Sequence, residues 1–164
     1  MSLELLLYLF GAAALLSGVV GGVFLSFSDF VMTSLAVARP AVGIEAMQII
    51  NRRVYGSLFL VLLLGMAPVS LAVAIYACFQ LSGWAAFWLV LGGLSYVIGV
   101  FGVTVVRNVP MNKKLDALDY SAPDTQTYWA EYLRNWTRWN HLRTLASVGS
   151  AACYLIGCLA LVQA

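Results

Sequence analysis

Four long apolar runs constrain this sequence more than any other feature. They cover about residues 5–31, 55–79, 84–106 and 145–162. Each is near or above the roughly 20 residues that an α-helix needs to cross about 30 Å of hydrocarbon. The runs lack the alternation of a transmembrane β-barrel, and a helix satisfies its own backbone polar groups in lipid. With 62% apolar and 10% charged residues, residues 1–164 are predicted to form a single all-α, integral membrane four-helix bundle.

The basic residues predict the orientation of this bundle. All nine Lys and Arg residues lie in or beside the first–second and third–fourth connections, whereas the second–third connection, "QLSGW", is uncharged. The positive-inside rule places both basic connections in the cytoplasm and both termini outside it. The expected location is a bacterial inner membrane, with the lipid bilayer as the principal partner. A net charge of +2 gives no support for nucleic acid binding.

The two basic connections have helical patterns of their own. Pro40 suits a first helical turn and is followed by apolar residues at helical spacing. Pro123 suits another first turn, and Ser121 with Asp124 has the spacing of an acidic capping box. Helices two and four are therefore predicted to be continuous over about 40 residues, or ~60 Å, and to extend into the cytoplasm.

Small residues recur four apart on the first and fourth helices, a spacing that lets helices approach closely in lipid. They are Ala14, Gly18 and Gly22, and then Gly149, Cys153 and Gly157. This pattern predicts close packing, either within the monomer or in a homo-oligomer. The cysteines, Cys78, Cys153 and Cys158, lie in apolar stretches and are interpreted as packing residues.

Polar residues gather where the helices approach the basic connections. Trp, Tyr, Arg and Lys are common at headgroup level in any membrane protein because they are amphipathic. Asparagine has no such preference and costs free energy when it is buried without partners. The asparagines at this end are Asn51, Asn108, Asn112, Asn135 and Asn140. Their number predicts a hydrogen-bonded polar pocket within the bundle.

Helical spacing separates two faces of the stretch "NWTRWNHLRT". One stripe, at steps of four, four and three, consists of Tyr132, Trp136, Asn140 and Arg143. This stripe is predicted to face inward, with His141 at its edge, whereas Arg134 and Arg138 lie on another face.

The third helix supplies a second wall for the predicted pocket. Asn108 and Asn112 lie four apart around Pro110. A proline inside a helix removes one backbone hydrogen bond and is expected to kink the helix there.

The sequence is poorly supplied for metal chemistry. A dinuclear site in a helical bundle would require several carboxylates and histidines at ExxH spacing, and this chain has one histidine and no such motif. No cofactor is therefore required by the sequence. Ligation of haem or a metal through His141 is the alternative.

Three motifs, "MQIINRRV", "RNVPMNKKLDAL" and "WAEYLRNWTRWNHLRTLAS", resemble the anthrone oxygenase-like family in their order and spacing. The resemblance runs from about Phe24 to Ala152. It departs from the family pattern in "FSDFVMTSL", where Thr33 replaces a usual proline. The positions that recur in the family are Asn51, Asn108, Pro110, Asn112, Trp136, Trp139, Asn140, His141 and Arg143.

The resemblance implies oxidation of anthrones to anthraquinones in fungal members, whereas most bacterial members have no assigned substrate. An anthrone has an acidic methylene, and the anion formed by its deprotonation can reduce O₂ directly. His141 is the predicted base. The predicted partners of the oxyanion are Asn140, Arg143 and Asn108. The residues predicted to bind the flat substrate are Trp136, Trp139, Asn51, Asn112, Tyr55 and Tyr132.

Two functions remain open at this point. The leading prediction is a membrane oxygenase or oxidoreductase for a hydrophobic aromatic or quinone-like small molecule at the cytoplasmic interface. The alternative is a non-catalytic membrane protein that binds a lipid, quinone or haem, or a partner subunit. A transporter is disfavoured because no interrupted helix pair and few intramembrane charges are seen.

Overall fold

The computed structural model describes residues 2–163, and every regular element in that range is helical. We number the helices α1 (Leu3–Val37), α2 (Pro40–Arg53), α3 (Leu58–Gln80), α4 (Gly83–Asp116) and α5 (Pro123–Val162). All but α2 are long and apolar enough to cross a membrane. The predicted all-α, four-helix membrane fold is confirmed.

The predicted continuity of the long helices is confirmed for the fourth and wrong for the second. α5 is a single helix of 40 residues. In the second, α2 ends in a 3₁₀ turn, Val54–Gly56, and Ser57 has an extended backbone with φ −96° and ψ 150°. The Ser57 hydroxyl then accepts a hydrogen bond from Leu60 N at 3.2 Å. Serine is a favoured helix N-cap, so α3 begins anew.

The start of α5 differs from the predicted capping box. Pro123 occupies the first turn as expected, but the capping position is Ala122, and no side chain caps the helix. Ser121 is occupied elsewhere: its N and Oγ both donate to Asp119 Oδ1, at 2.9 and 2.7 Å. These bonds lower the pKa of the exposed Asp119. The capping box is therefore wrong because a local turn uses the serine.

Close helix approaches hold the membrane-spanning core together, and α1 packs along α5. A Cβ added to Gly157 would lie 2.7 Å from the side chain of Leu89, and one added to Gly93 would lie 2.5 Å from a backbone oxygen of α3. Gly18 and Gly22 instead have open space around them. Homo-oligomerisation through that face stays a prediction.

A second apolar core lies at the basic end of the bundle. Its buried residues are Met32, Ile44, Met47, Leu115, Trp129, Tyr132 and Trp136. Gln48 of α2 donates to the carbonyls of Leu115 and Leu118, both at 2.8 Å, and an exposed ion pair joins Arg52 to Asp116 at 2.7 Å. Because α5 is about twice as long as a bilayer core is thick, this second core lies beyond the spanning part.

Wide, π-helical turns interrupt α1 and α4. They occur at Phe27–Val31 in α1 and at Ser95–Gly102 and Thr104–Asn108 in α4. Pro110 follows the last of these, in the first turn of the regular segment that ends α4. Where a kink at Pro110 was predicted, the structure thus has a stretch of π-helix just before the proline. Such turns are frequent at functional sites.

Candidate functional site

A pocket lies between all five helices where the two cores meet. It encloses about 710 Å³ of non-atom space, including its open mouth, and its surface is mostly apolar. Small-molecule sites are typically concave and mostly apolar, with a few polar groups that orient the ligand. The aromatic and polar side chains that line it include Phe24, Phe27, Asn51, Tyr55, Phe59, Thr104, Asn112, Trp136 and Arg143.

Arg143 is the one charged side chain in the pocket lining, and only 5% of its surface is exposed. Its Nη2 donates to Asn140 Oδ1 at 2.6 Å and its Nη1 to Thr104 Oγ1 at 3.3 Å. The guanidinium lies over the ring of Phe24 at 4.2 Å and that of Trp136 at 5.2 Å. Aromatic faces stabilise the cation but do not neutralise it.

Asn140 holds this arginine in place. Its side chain is fully buried, and its Nδ2 donates to the Phe24 carbonyl and to Ser28 Oγ, both at 2.6 Å. These bonds orient Oδ1 toward Arg143 and fasten α5 to the π-helical turn of α1. Asn140 does not line the pocket, so its role is to position Arg143.

The pocket has donors without acceptors. Within residues 2–163 the one salt bridge is Arg52–Asp116, so Arg143 has no carboxylate partner. Arg143 Nε is buried with no hydrogen-bond partner among the described residues. Asn51 Nδ2 is also buried without a hydrogen bond of regular geometry, although the Tyr132 hydroxyl lies close to it. A buried cation without a counter-charge costs several kcal/mol. The site is therefore electrostatically incomplete without an acceptor.

Hydrogen bonds and stacking fix the indole of Trp136 as one wall. Asn112 Oδ1 accepts from Tyr132 OH and from Trp136 Nε1, both at 2.8 Å, and Asn108 Nδ2 donates to the Trp136 carbonyl at 3.3 Å. Tyr132 stacks on Trp136 on one side and on Trp129 on the other. Asn108 and Tyr132 thus lie behind the wall and support it.

Two of the predicted site residues lie away from the pocket. His141 is exposed on the outer face, beside Arg134 and Arg138. Trp139 is half-buried on another face, with Arg107 over its ring at 4.7 Å. The structure therefore does not bring the predicted base or the second stacking ring to the pocket.

The other predicted residues are close together. Asn51, Asn112, Trp136 and Arg143 line the pocket, and Tyr55, which is 67% exposed, lies at its mouth. Ligation of haem or a metal through His141 stays a prediction. Over residues 2–163 no three His, Cys, Asp or Glu side chains form a group that could hold a metal ion.

Several lining residues were not anticipated. Thr104 had a recognisable signal, because it is the one hydrogen-bonding side chain in "VIGVFGVTVV" and lies four residues before Asn108. No sequence signal marked the three phenylalanines, Phe24, Phe27 and Phe59, because an aromatic residue in an apolar helix is ordinarily a packing residue.

Comparison with known proteins identifies the family of the chain. The anthrone oxygenase family model matches residues 50–153, which is more than half of the chain. The match includes the pocket residues of α3, α4 and α5 and two of those of α2, Ile50 and Asn51, but neither Met47 nor the pocket residues of α1. No curated protein and no solved structure matches the chain significantly. The chain, a four-helix membrane domain, belongs to the anthrone oxygenase family.

Proposed function

We propose that this protein is a membrane oxidoreductase that binds a flat, apolar, anthrone-type substrate as its anion in the pocket beside Trp136 and Arg143. One observation carries the proposal: a buried arginine without a carboxylate partner faces a mostly apolar pocket. Arginine keeps its charge even when buried. The cost of burying it is offset when an anionic ligand occupies the pocket.

The unpartnered donors favour the same type of ligand. Arg143 Nε and Asn51 Nδ2 are able to donate to an oxygen that carries negative charge, and charge-assisted hydrogen bonds are the stronger kind. A wholly apolar ligand would leave Arg143 Nε unsatisfied. The pocket therefore suits a ligand with an apolar body and one anionic or strongly accepting oxygen.

The aromatic lining favours a planar body for this ligand. Phe24, Phe27 and Phe59 approach from two helices and Trp136 from a third. Aromatic rings prefer offset-stacked or edge-to-face contacts with other rings. A fused aromatic substrate that is dissolved in the bilayer would find such contacts here.

The chemistry that follows is oxidation of the substrate anion by O₂. Loss of a methylene proton to solvent at the pocket mouth gives the phenolate-type anion, and Arg143 lowers the free energy of that anion. The anion gives up electrons to O₂. Overall, one anthrone and one O₂ yield one anthraquinone and one water: one oxygen atom becomes the new carbonyl, and the other leaves as water with the two methylene hydrogens.

The test is O₂ uptake and quinone absorbance with the purified chain in lipid nanodiscs and an anthrone substrate. Arg143→Gln should lower kcat/KM by roughly 10²–10³-fold, the usual cost of losing one oxyanion partner. Arg143→Lys should retain part of the activity because the charge remains. Arg39→Gln, which removes an exposed arginine, is the matched control.

The outcomes separate the candidate functions. Full turnover in Arg143→Gln would refute the role of Arg143. Substrate binding without O₂ uptake in the wild-type chain would favour the non-catalytic binder. In His141→Ala, kcat/KM should fall less than about tenfold, whereas loss of a general base costs roughly 10²-fold or more.

A further inference from the structure

A second concave surface, which we call the α1–α5 groove, lies on the outside of the bundle. It is formed where the end of α1 crosses the middle of α5, and it encloses about 620 Å³ including its opening. The residues that line it include Met32, Thr33, Leu133, Arg134, Arg138 and His141. It is separate from the pocket that holds Arg143.

The basic side chains of the groove form one line. Arg134, Arg138 and His141 follow one another at steps of four and three, so they lie on one face of α5 over about two turns, or ~10 Å. Neither arginine forms a salt bridge within residues 2–163, although Glu131 and Asp29 lie nearby along α5 and α1. The groove therefore carries at least two positive charges that no neighbour neutralises.

An apolar surface continues this line along α5. Leu145 and Val148 follow His141 at steps of four and three, and they are 71% and 51% exposed. Within the groove, the partly exposed Leu133 adds apolar surface beside the charges. The face is thus basic at one end and apolar over the next two turns. This is the profile of a phospholipid, which has an anionic phosphate followed by an acyl chain.

We propose that the α1–α5 groove binds an anionic phospholipid. Its phosphate accepts hydrogen bonds from the guanidinium groups of Arg134 and Arg138 and from the ring N–H of His141, and an acyl chain lies over Leu145 and Val148. Arginine is suited to this role because its planar fork matches phosphate oxygens. A zwitterionic lipid is disfavoured because its headgroup cation would meet the same arginines.

The test is native mass spectrometry of the detergent-purified full chain with phosphatidylglycerol or phosphatidylcholine. The wild-type chain should bind phosphatidylglycerol more tightly. The double variant Arg134→Gln/Arg138→Gln should bind it roughly 30-fold more weakly, since each arginine near an anionic lipid contributes a factor of about five. The matched control is Arg39→Gln/Arg53→Gln, which removes two exposed arginines outside the groove and should lose less than about threefold.

Three results would overturn the proposal: equal binding of the two lipids, equal losses in the two double variants, or unchanged binding in Arg134→Gln/Arg138→Gln. A second measurement on the wild-type chain does not depend on how the variants fold. A photoreactive phosphatidylglycerol should label peptides from the end of α1 and the middle of α5. Labelling spread evenly over the four spanning helices would contradict a defined site.

Discussion

Replacement of Asn140 by aspartate tests whether the charge of Arg143 is available to a ligand. Asn140 Oδ1 already accepts from Arg143 at 2.6 Å, and its Nδ2 donates to the Phe24 carbonyl and to Ser28 Oγ. Asn140→Asp keeps the shape and the acceptor but supplies a carboxylate. The substitution therefore neutralises the arginine from behind without emptying space in the core.

The opposing energies decide the expected stability. Two unit charges about 4 Å apart attract by ~4 kcal/mol at an effective dielectric constant near 20. Against this, the hydrogen bond to the Phe24 carbonyl is lost, at about 1 kcal/mol, and the two oxygens then repel each other. Ser28 can turn its hydroxyl to donate instead. Removing the new carboxylate from water costs several kcal/mol more, because position 140 is fully buried. The attraction and these costs are similar in size, so the free energy of unfolding should stay close to that of the wild type.

Activity, in contrast, should fall. A carboxylate bound to Arg143 competes with the substrate anion for its charge, so kcat/KM for an anthrone should fall on the order of 10²-fold, which corresponds to ~2.7 kcal/mol. The assays are O₂ uptake in nanodiscs and a thermal melt of the same preparation. Asn135→Asp, which adds the same charge on α5 outside the pocket, is the control. An Asn140→Asp protein with a native melt and kcat/KM within threefold of wild type would refute the reasoning.

Two further substitutions test how the bundle is built. Asn112→Leu removes the acceptor shared by Tyr132 and Trp136 and should lower the free energy of unfolding by on the order of 2–4 kcal/mol; Asn112→Asp, which keeps the acceptor, should lose less, and equal losses would contradict this account. Gly93→Ala places a Cβ 2.5 Å from a backbone oxygen and should destabilise by about 1–3 kcal/mol, measured by thermal melt, whereas Gly18→Ala meets open space and should not; similar melts for the two would show that the approach at Gly93 is not tight.

The inward stripe of α5 could be predicted because that helix is regular. Tyr132, Trp136, Asn140 and Arg143 are all buried, as their spacing indicates for 3.6 residues per turn. His141 follows Asn140 by about 100° around the same helix, which is enough to place it on the outer face. Helical spacing alone thus argues against His141 as a pocket residue. The prediction of a catalytic base relied instead on the usual chemistry of histidine.

The other pocket walls could not be predicted in the same way. α1 and α4 wind more widely through their π-helical turns. A constant period of 3.6 residues therefore does not predict which of their side chains face inward. Thr104 and Ser28 are brought to Arg143 and Asn140 by this altered winding. The break at Ser57 was also missed, because apolar residues continue at helical spacing on both sides of it.

The second core has a consequence for the order in which the protein is made. α2 buries Ile44 and Met47 in a core that it shares with the ends of α1 and α4 and with α5, which contributes Trp129 and Trp136. α5 leaves the ribosome after α2, so during synthesis α2 is at first a short amphipathic helix that lacks the apolar partners supplied by α5. Until α5 is complete, the membrane surface is the available place for that apolar face. The pocket beside Arg143 is thus completed only when α5 joins the two cores.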